Sequence, residues 1–372
     1  MGNSKSCDID IATDATPDEI TQIFPDHVLV GKEFGVVLVI YEEYQFEIAT
    51  FRQDILYENG RKPAQISLKS TPEEDAERRD FTINGLFFDP ITEIIYDFVN
   101  GKADIEKKLI RTIGNPEERF QEDRSRMLRA VRFSYRFGFT IEEYTYKAIC
   151  KLSHTLLPAV SMERIWQELC KMREGQRFKE ALLKMHQLGL LGTIFPPLHT
   201  VSLETISQRI HGIEQLSTRV PTILLVATLF TQEDENFIRN LYSYLRAPRK
   251  DGKWVEFFLL LQNTDLRSLD RYHIAKMVAN SHFEICFEVM TTRLPQEARQ
   301  KWQEWHLEIL HDLTFYIHRL RKKEPLVIAQ DLQEQGIAAG PEMGILLERA
   351  WEIAINHNLK EKALILKKLG VL

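Results

Sequence analysis

Two aspartates, Asp8 and Asp10, flank Ile9 in the run DIDIAT. In an extended strand alternate side chains share a face, so both carboxylates point one way while Ile9 and Ile11 are expected to enter the core. Hard oxygen ligands on a rigid strand suit Mg2+, which takes a few carboxylates and fills its other positions with water and substrate phosphates. A DxD alone is a weak signal, because most such pairs are solvent-facing acids. Glu47, on the later strand candidate QFEIATF, is either a third carboxylate or an exposed strand acid. Around two metals about 4 Å apart, such a cluster activates a ribose 3′-hydroxyl and stabilises a leaving pyrophosphate.

A second set of chemistry-bearing residues is Arg78-Arg79-Asp80-Phe81-Thr82-Ile83-Asn84. Arginines, an aspartate and an asparagine around an apolar pair can hold the phosphate and sugar hydroxyls of a nucleotide. Glu122-Asp123-Arg124-Ser125-Arg126 comes next, then LRAVRF. On a helix Asp123 and Arg126 are three apart and therefore neighbours on one face. By spacing alone this is a surface ion pair of little energetic worth.

These residues need elements to position them. Residues 1–100 read as mixed α/β: DIDIAT alternates, HVLVG and GVVLVIY are β-branched runs, and Thr16 before Pro17 marks a helix start. A polar loop is expected from about Gln53 to Ser70. From Asp104 onward the pattern turns helical and stays so, with breakers at Gly192, Pro196-Pro197, Ala247-Pro248 and Gly340-Pro341. The architecture expected is α+β: a small mixed sheet followed by a long helical part, in more than one packed unit.

Charge is divided the same way. Residues 1–100 hold 8 Lys/Arg against 20 Asp/Glu, and residues 101–180 hold 17 against 12, so an overall −6 conceals an acidic block beside a basic one. That suits a metal-bearing domain beside a phosphate-contacting one. The four cysteines Cys7, Cys150, Cys170 and Cys286 show no CxxC or zinc spacing and read as thiols in a reducing cytoplasm. No apolar run approaches the roughly 18 residues of a membrane span, and the polar, acidic start excludes a signal peptide. A cytoplasmic protein without a membrane partner is expected.

The segments DIDIATDATP, VGKEFGVV, FEIATFR, EEDAERRDFTING, DFVNGKADIEKKLIRTIGNPEERFQEDRSRMLRAVRFSYRFGFTI and SMERIWQEL occur in this order. Together they resemble the successive motifs of class II tRNA nucleotidyltransferases (CCA-adding enzymes) and bacterial poly(A) polymerases, over about residues 7–200. The resemblance implies a polymerase-β-like nucleotidyltransferase head (1–103), a helical neck for base recognition (104–180) and a helical body and tail binding RNA (181–372). It implies Asp8 and Asp10 as catalytic, Mg2+-binding carboxylates. Arg79, Asp80 and Asn84 would contact the nucleotide's sugar and phosphates, and Asp123 with Arg126 would read the base edge. Glu122 would brace that pair, Arg129 and Arg132 would face the triphosphate, and Glu163 with Arg164 would stiffen the neck. One acceptor beside a fork of donors matches cytosine or adenine and mismatches guanine and uracil.

The implied reaction is template-independent addition of CCA to the tRNA 3′ end from CTP and ATP with Mg2+. The alternative is a poly(A) polymerase; the length of the segment between Phe51 and Asp80 and the absence of a strongly basic tail favour CCA addition. Relatives begin with a glycine-rich GGxVRD segment about twenty residues before the DxD. Its absence here keeps a further expectation open, an inactive RNA-binding remnant. Phe230-Thr231 stand where some relatives carry a His-Asp doublet, so no phosphohydrolase activity is expected and His199 and His211 read as ordinary histidines. Arg246, Arg249, Lys250 and Lys253 around Trp254, with Trp302 and Trp305, suit either RNA contact or helical core with solvated charges. The second is the expectation.

Overall fold

The first helix begins where its residues dictate. Thr16 Oγ1 accepts from the Glu19 N–H at 3.3 Å, and the Glu19 carboxylate accepts from the Thr16 N–H at 2.7 Å. This reciprocal cap, with proline at the first helical position, satisfies donors that a helix start leaves unpaired. The computed structural model describes residues 9–31, 35–58, 62–68, 70–175, 177–231 and 234–371. In it the helix α1 (Pro17–Ile23) packs on a sheet of four strands, β1 (Asp10–Thr13), β2 (His27–Gly31), β3 (Val36–Tyr41) and β4 (Tyr44–Thr50). Their order is β1-β4-β3-β2, with β1 parallel to β4 and the other pairs antiparallel.

Ile20 of α1 meets Val37, Val39 and Ile48 on one face of this sheet. Ile11 lies opposite Ile48 in register and so shares that face. It nevertheless remains 38% exposed, and Ile9 is 55% exposed. The expectation that both enter the core is corrected: β1 ends the sheet order, so its side chains have a neighbouring strand on one side.

A second correction concerns the polar stretch after Phe51. β5 (Arg52–Glu58) and β6 (Lys62–Leu68) form an antiparallel pair rather than a loop. Ladder hydrogen bonds come from the backbone, so a run with little hydrophobic alternation can still pair. Helix α2 (Pro72–Arg78) then repeats the first cap, with Thr71 and Glu74 in the roles of Thr16 and Glu19. After it come β7 (Leu86–Asp89), β8 (Ile94–Asp97) and α3 (Gly101–Glu106).

From residue 109 helices dominate: α4 (Pro116–Glu122), α5 (Arg126–Phe137), α6 (Glu143–Leu152), α7 (Leu156–Ala159), α8 (Met162–Arg173), α9 (Phe178–Gln187) and α10 (Leu190–Ile194). Two short strands interrupt the expected all-helical run, β9 (Leu109–Ile110) and β10 (Thr140–Ile141), paired in parallel. Helix α5 is the hub. Met127, Leu128 and Val131 are fully buried on it, and α8 and α9 pack against it with Ile165, Leu169, Ala181 and Leu182.

The chain divides into two compact units, Met1–Leu203 and Glu204–Leu372. In the second, every described regular element is helical, among them Arg249–Gln262, Phe283–Thr292 and the long Gln296–Lys322. Its tryptophans are half-buried packing groups. Trp254 lies edge-on to His282 at 4.3 Å, and Trp302 and Trp305 hold the long helix against Phe287 at 6.1 and 6.0 Å. Among the described residues no helix is long and apolar enough to cross a membrane.

Candidate active site

The sheet supplies the carboxylates. Asp10 on β1 and Glu47 on β4 are register partners, so they emerge side by side on the face opposite Ile48. Both are exposed. Asp8 lies outside the described residues. Adjacent exposed carboxylates on paired strands fit a hard divalent cation, the donor set that Mg2+ accepts. Among the described residues no group of three or more His, Cys, Asp or Glu is gathered around one point.

From the sheet the site continues through Phe51. Its N–H donates to the Thr13 carbonyl at the end of β1 at 2.7 Å, and its ring meets Phe87 edge-on at 5.7 Å. Over Phe87, at 4.6 Å, lies the guanidinium of Arg79. Arg79 Nε donates to Asp75 Oδ2 at 3.1 Å and Nη1 to the Asn84 carbonyl at 2.9 Å. Asp75, 1% exposed, also takes Arg78 Nη2 at 2.6 Å and the Arg52 N–H at 3.2 Å. One buried carboxylate thus fixes two consecutive arginines.

Asp80 comes next and is 8% exposed. Its Oδ1 accepts from Asn84 Nδ2 and from the Phe81 N–H, each at 2.9 Å, while Arg129 of α5 donates to Oδ2 at 2.6 Å. Burial opposes ionisation of this carboxyl. The Arg129 charge and the hydrogen bonds from Asn84 and Arg129 outweigh it and hold Asp80 below its ordinary value.

Two further arginines tie the carbonyls of this segment to the helices. Arg119 Nη2 donates to the Arg78 and Arg79 carbonyls at 2.6 and 2.7 Å, and its Nη1 to Glu122 Oε2 at 2.6 Å. Arg126, 7% exposed, donates from Nη1 to Glu122 at 2.8 Å and to the Arg119 carbonyl at 3.0 Å. Its Nη2 reaches the Arg78 carbonyl at 3.3 Å. Glu122 therefore braces Arg119 and Arg126 together.

Asp123 and Arg126 do not share a helix, which corrects the expected geometry. Asp123 caps the end of α4 in extended conformation, and α5 starts at Arg126. The Asp123 carboxylate turns to its near neighbour in the chain: Ser125 N–H and Oγ donate to Oδ1 at 2.9 and 2.6 Å. This local competition for the backbone is what ends the helix. Arg164 Nη2 from α8 reaches Ser125 Oγ at 2.8 Å and Asp123 Oδ2 at 3.3 Å.

The structure thus brings Arg79, Asp80, Asn84, Glu122, Asp123, Arg126, Arg129 and Arg164 into neighbouring hydrogen-bonded sets. It does not do so for Arg132 or Glu163. Arg132 is 6% exposed, its Nε spent on Glu168 at 2.7 Å and its plane on Phe133 at 4.2 Å. Glu163 is exposed in the first turn of α8. Sequence reasoning missed Asp75, Arg119 and Glu168. The arginine pair after an acidic helix start was the signal for Asp75; nothing local marks the other two.

Residues 1–111 match the family described as "Poly A polymerase head domain", and residues 138–201 the one described as "Probable RNA and SrmB- binding site of polymerase A". The CCA-adding enzyme of Bacillus subtilis is 44% identical over 183 residues, which is 49% of this chain and 46% of that protein. That of Enterococcus faecalis is 47% identical over 168 residues, 45% of this chain and 41% of that protein. The chain thus spans about half the length of these curated relatives. The crystal structure of the Bacillus stearothermophilus CCA-adding enzyme in complex with CTP superposes with a TM-score of 0.71 at 25% identity, covering 97% of this chain and 88% of that one. The Thermotoga maritima CCA-adding enzyme complexed with tRNA shares the fold, with a TM-score of 0.66 at 20% identity over 98% of this chain and 86% of that one. Over the residues matched, the chain is similar to CCA-adding enzymes and to the head and RNA-binding segments of poly(A) polymerases.

Proposed function

We propose that the protein is a template-independent RNA nucleotidyltransferase that adds CCA to the 3′ end of tRNA from CTP and ATP. The observation that carries this reading is the junction of two sets of residues. The Arg79–Asn84 segment, suited to a nucleotide's sugar and phosphates, is bonded through Arg119 and Arg126 to the helix end that presents Asp123. The reading is supported by a 44% identity to a CCA-adding enzyme over 183 residues of the chain.

Asp10 and Glu47, with Asp8 of the same run, are the residues that would hold Mg2+. When bound, the metal promotes attack of the RNA 3′-hydroxyl on the α-phosphorus and stabilises the departing pyrophosphate. Arg79 supplies positive charge to the phosphates, oriented by Asp75 and Phe87. Asp80 and Asn84 hold the sugar hydroxyls, with Arg129 keeping Asp80 ionised. Asp123 accepts from the amino group of cytosine or adenine, and Arg126 works beside it with Glu122 as brace. Arg132 and Arg164 support this helix packing, and Glu163 lies at its margin. Residues 1–103 serve as head, 104–180 as neck and 181–372 as RNA-binding body, in the cytoplasm where tRNA matures.

The test is transfer with Mg2+ and each labelled nucleotide in turn, on tRNA lacking its CCA end and on an unstructured RNA primer. Two C residues and one A on the tRNA are expected, with Asp10→Ala abolishing transfer and leaving RNA binding nearly unchanged. A long A tract on the primer would make the protein a poly(A) polymerase. Transfer of nothing to either RNA would overturn the reading.

A further inference from the structure

Ser125 is 2% exposed, and its hydroxyl both donates and accepts within the site. It donates to Asp123 Oδ1 at 2.6 Å and accepts from Arg164 Nη2 at 2.8 Å. With the Ser125 N–H also on Oδ1 at 2.9 Å, that oxygen takes two donors, the number its lone pairs accommodate. Among the described residues, Oδ2 receives the 3.3 Å contact from Arg164 alone and keeps room for another donor. The carboxylate is therefore held at one oxygen and available at the other.

We propose that Ser125 and Arg164 are positioning residues for base choice, orienting Asp123 so that Oδ2 receives the amino group of the incoming base. The proposal rests on the nucleotidyltransferase reading above. Cytosine and adenine offer an amino donor where uracil and guanine offer a carbonyl acceptor. A fixed carboxylate oxygen attracts the first pair and repels the second. A carboxylate free to rotate can turn away, and the penalty against the wrong base falls. Arg126 is engaged elsewhere: its guanidinium donates to Glu122 and to the Arg119 and Arg78 carbonyls. Arg164, with its side chain 41% exposed and Asp123 at 21%, stands where the carboxylate meets solvent.

The experiment compares kcat/KM in single-nucleotide addition, for CTP and UTP on tRNA lacking CCA and for ATP and GTP on tRNA ending in CC, using the wild type, Ser125→Ala, Arg164→Gln and Arg164→Lys. The loss of one hydrogen bond to a charged group predicts a fall of about ten-fold to a hundred-fold in the C-over-U and A-over-G ratios for Ser125→Ala and Arg164→Gln. Arg164→Lys keeps a donor and should retain most of the discrimination. If Ser125→Ala fails to fold, Arg164→Gln, changed at a partly exposed side chain, carries the test. An equal loss for all four nucleotides, or unchanged ratios, would reduce both residues to structural supports and overturn the inference. A wild type that transfers no nucleotide would instead sink the nucleotidyltransferase reading on which it rests, and one that transfers all four alike would overturn the inference.

Discussion

Asp80 concentrates several opposing effects in one side chain. Burial penalises its charge, while Arg129 and Asn84 reward it, and the balance lies on the side of the carboxylate. A carboxyl whose folded value is depressed stabilises the protein above its ordinary value of 3.8 and loses that contribution as pH falls through the folded value. Asp80→Asn should therefore cost about 1.5–3 kcal/mol at neutral pH, the range for a hydrogen bond to a charged group. In denaturant melts the gap to wild type should narrow only below that ordinary value. A gap independent of pH would show that packing, not charge, holds this position. Asp75 teaches the complementary lesson. It is absent from any reading of reactive residues, yet Arg79 owes its orientation to that buried carboxylate.

At the scale of elements, the same four-residue device, Thr-Pro-x-Glu, starts both α1 and α2. Removing either threonine should cost about 1 kcal/mol of stability. The two substitutions should part in activity, because α2 runs directly into Arg78, Arg79 and Asp80 while α1 packs on the face of the sheet away from Asp10. Thr71→Ala is expected to raise KM for nucleotides several-fold, and Thr16→Ala to lower the melting temperature with KM little changed. Equal kinetic effects would mean that the cap of α2 does not govern the arginine segment. Gly101 shows how closely these elements meet: a Cβ there would lie 2.3 Å from the Thr82 carbonyl oxygen. Only glycine allows α3 to approach the turn that places Asn84, and Asp104 of α3 accepts from Thr82 Oγ1 at 2.8 Å.

At the scale of the molecule, each compact unit carries its own fully buried residues, such as Val131 and Leu169 in the first and Val255 and Phe283 in the second. Separate cores predict separate unfolding, so a single transition is not expected. The cysteines report on this. Cys286 is buried and its thiol is pushed up to about 12 by burial, whereas Cys150 in the other unit is exposed. A thiol reagent should modify Cys150 in the native protein and reach Cys286 only as the second unit unfolds in denaturant. Because Trp254, Trp302, Trp305 and Trp351 all belong to that unit, tryptophan fluorescence should change with Cys286 reactivity. Modification of Cys286 well before the fluorescence change would argue against a cooperative second unit.

Features that depend on neighbours along the chain are the ones the amino-acid order reveals. The cap at Thr16, the β-branched run of β3, the strand candidate at β4, the mainly helical pattern from Asp104 onward and the residue types at Asp10, Asp80 and Asp123 were legible, because caps and local patterning act within a few residues. The order of recognisable segments then carried the resemblance to nucleotidyltransferases. The tertiary structure alone decided which arginine does what. Arg129 meets Asp80 across 49 residues and Arg119 meets the Arg78 carbonyl across 41. Arg132 turned inward to Glu168, and Asp123 turned from a helical neighbour of Arg126 into a cap bonded to Ser125 and Arg164. Guanidinium groups are alike in sequence and differ only in the acceptors that folding brings within reach, and long-range closure of the chain selects those acceptors.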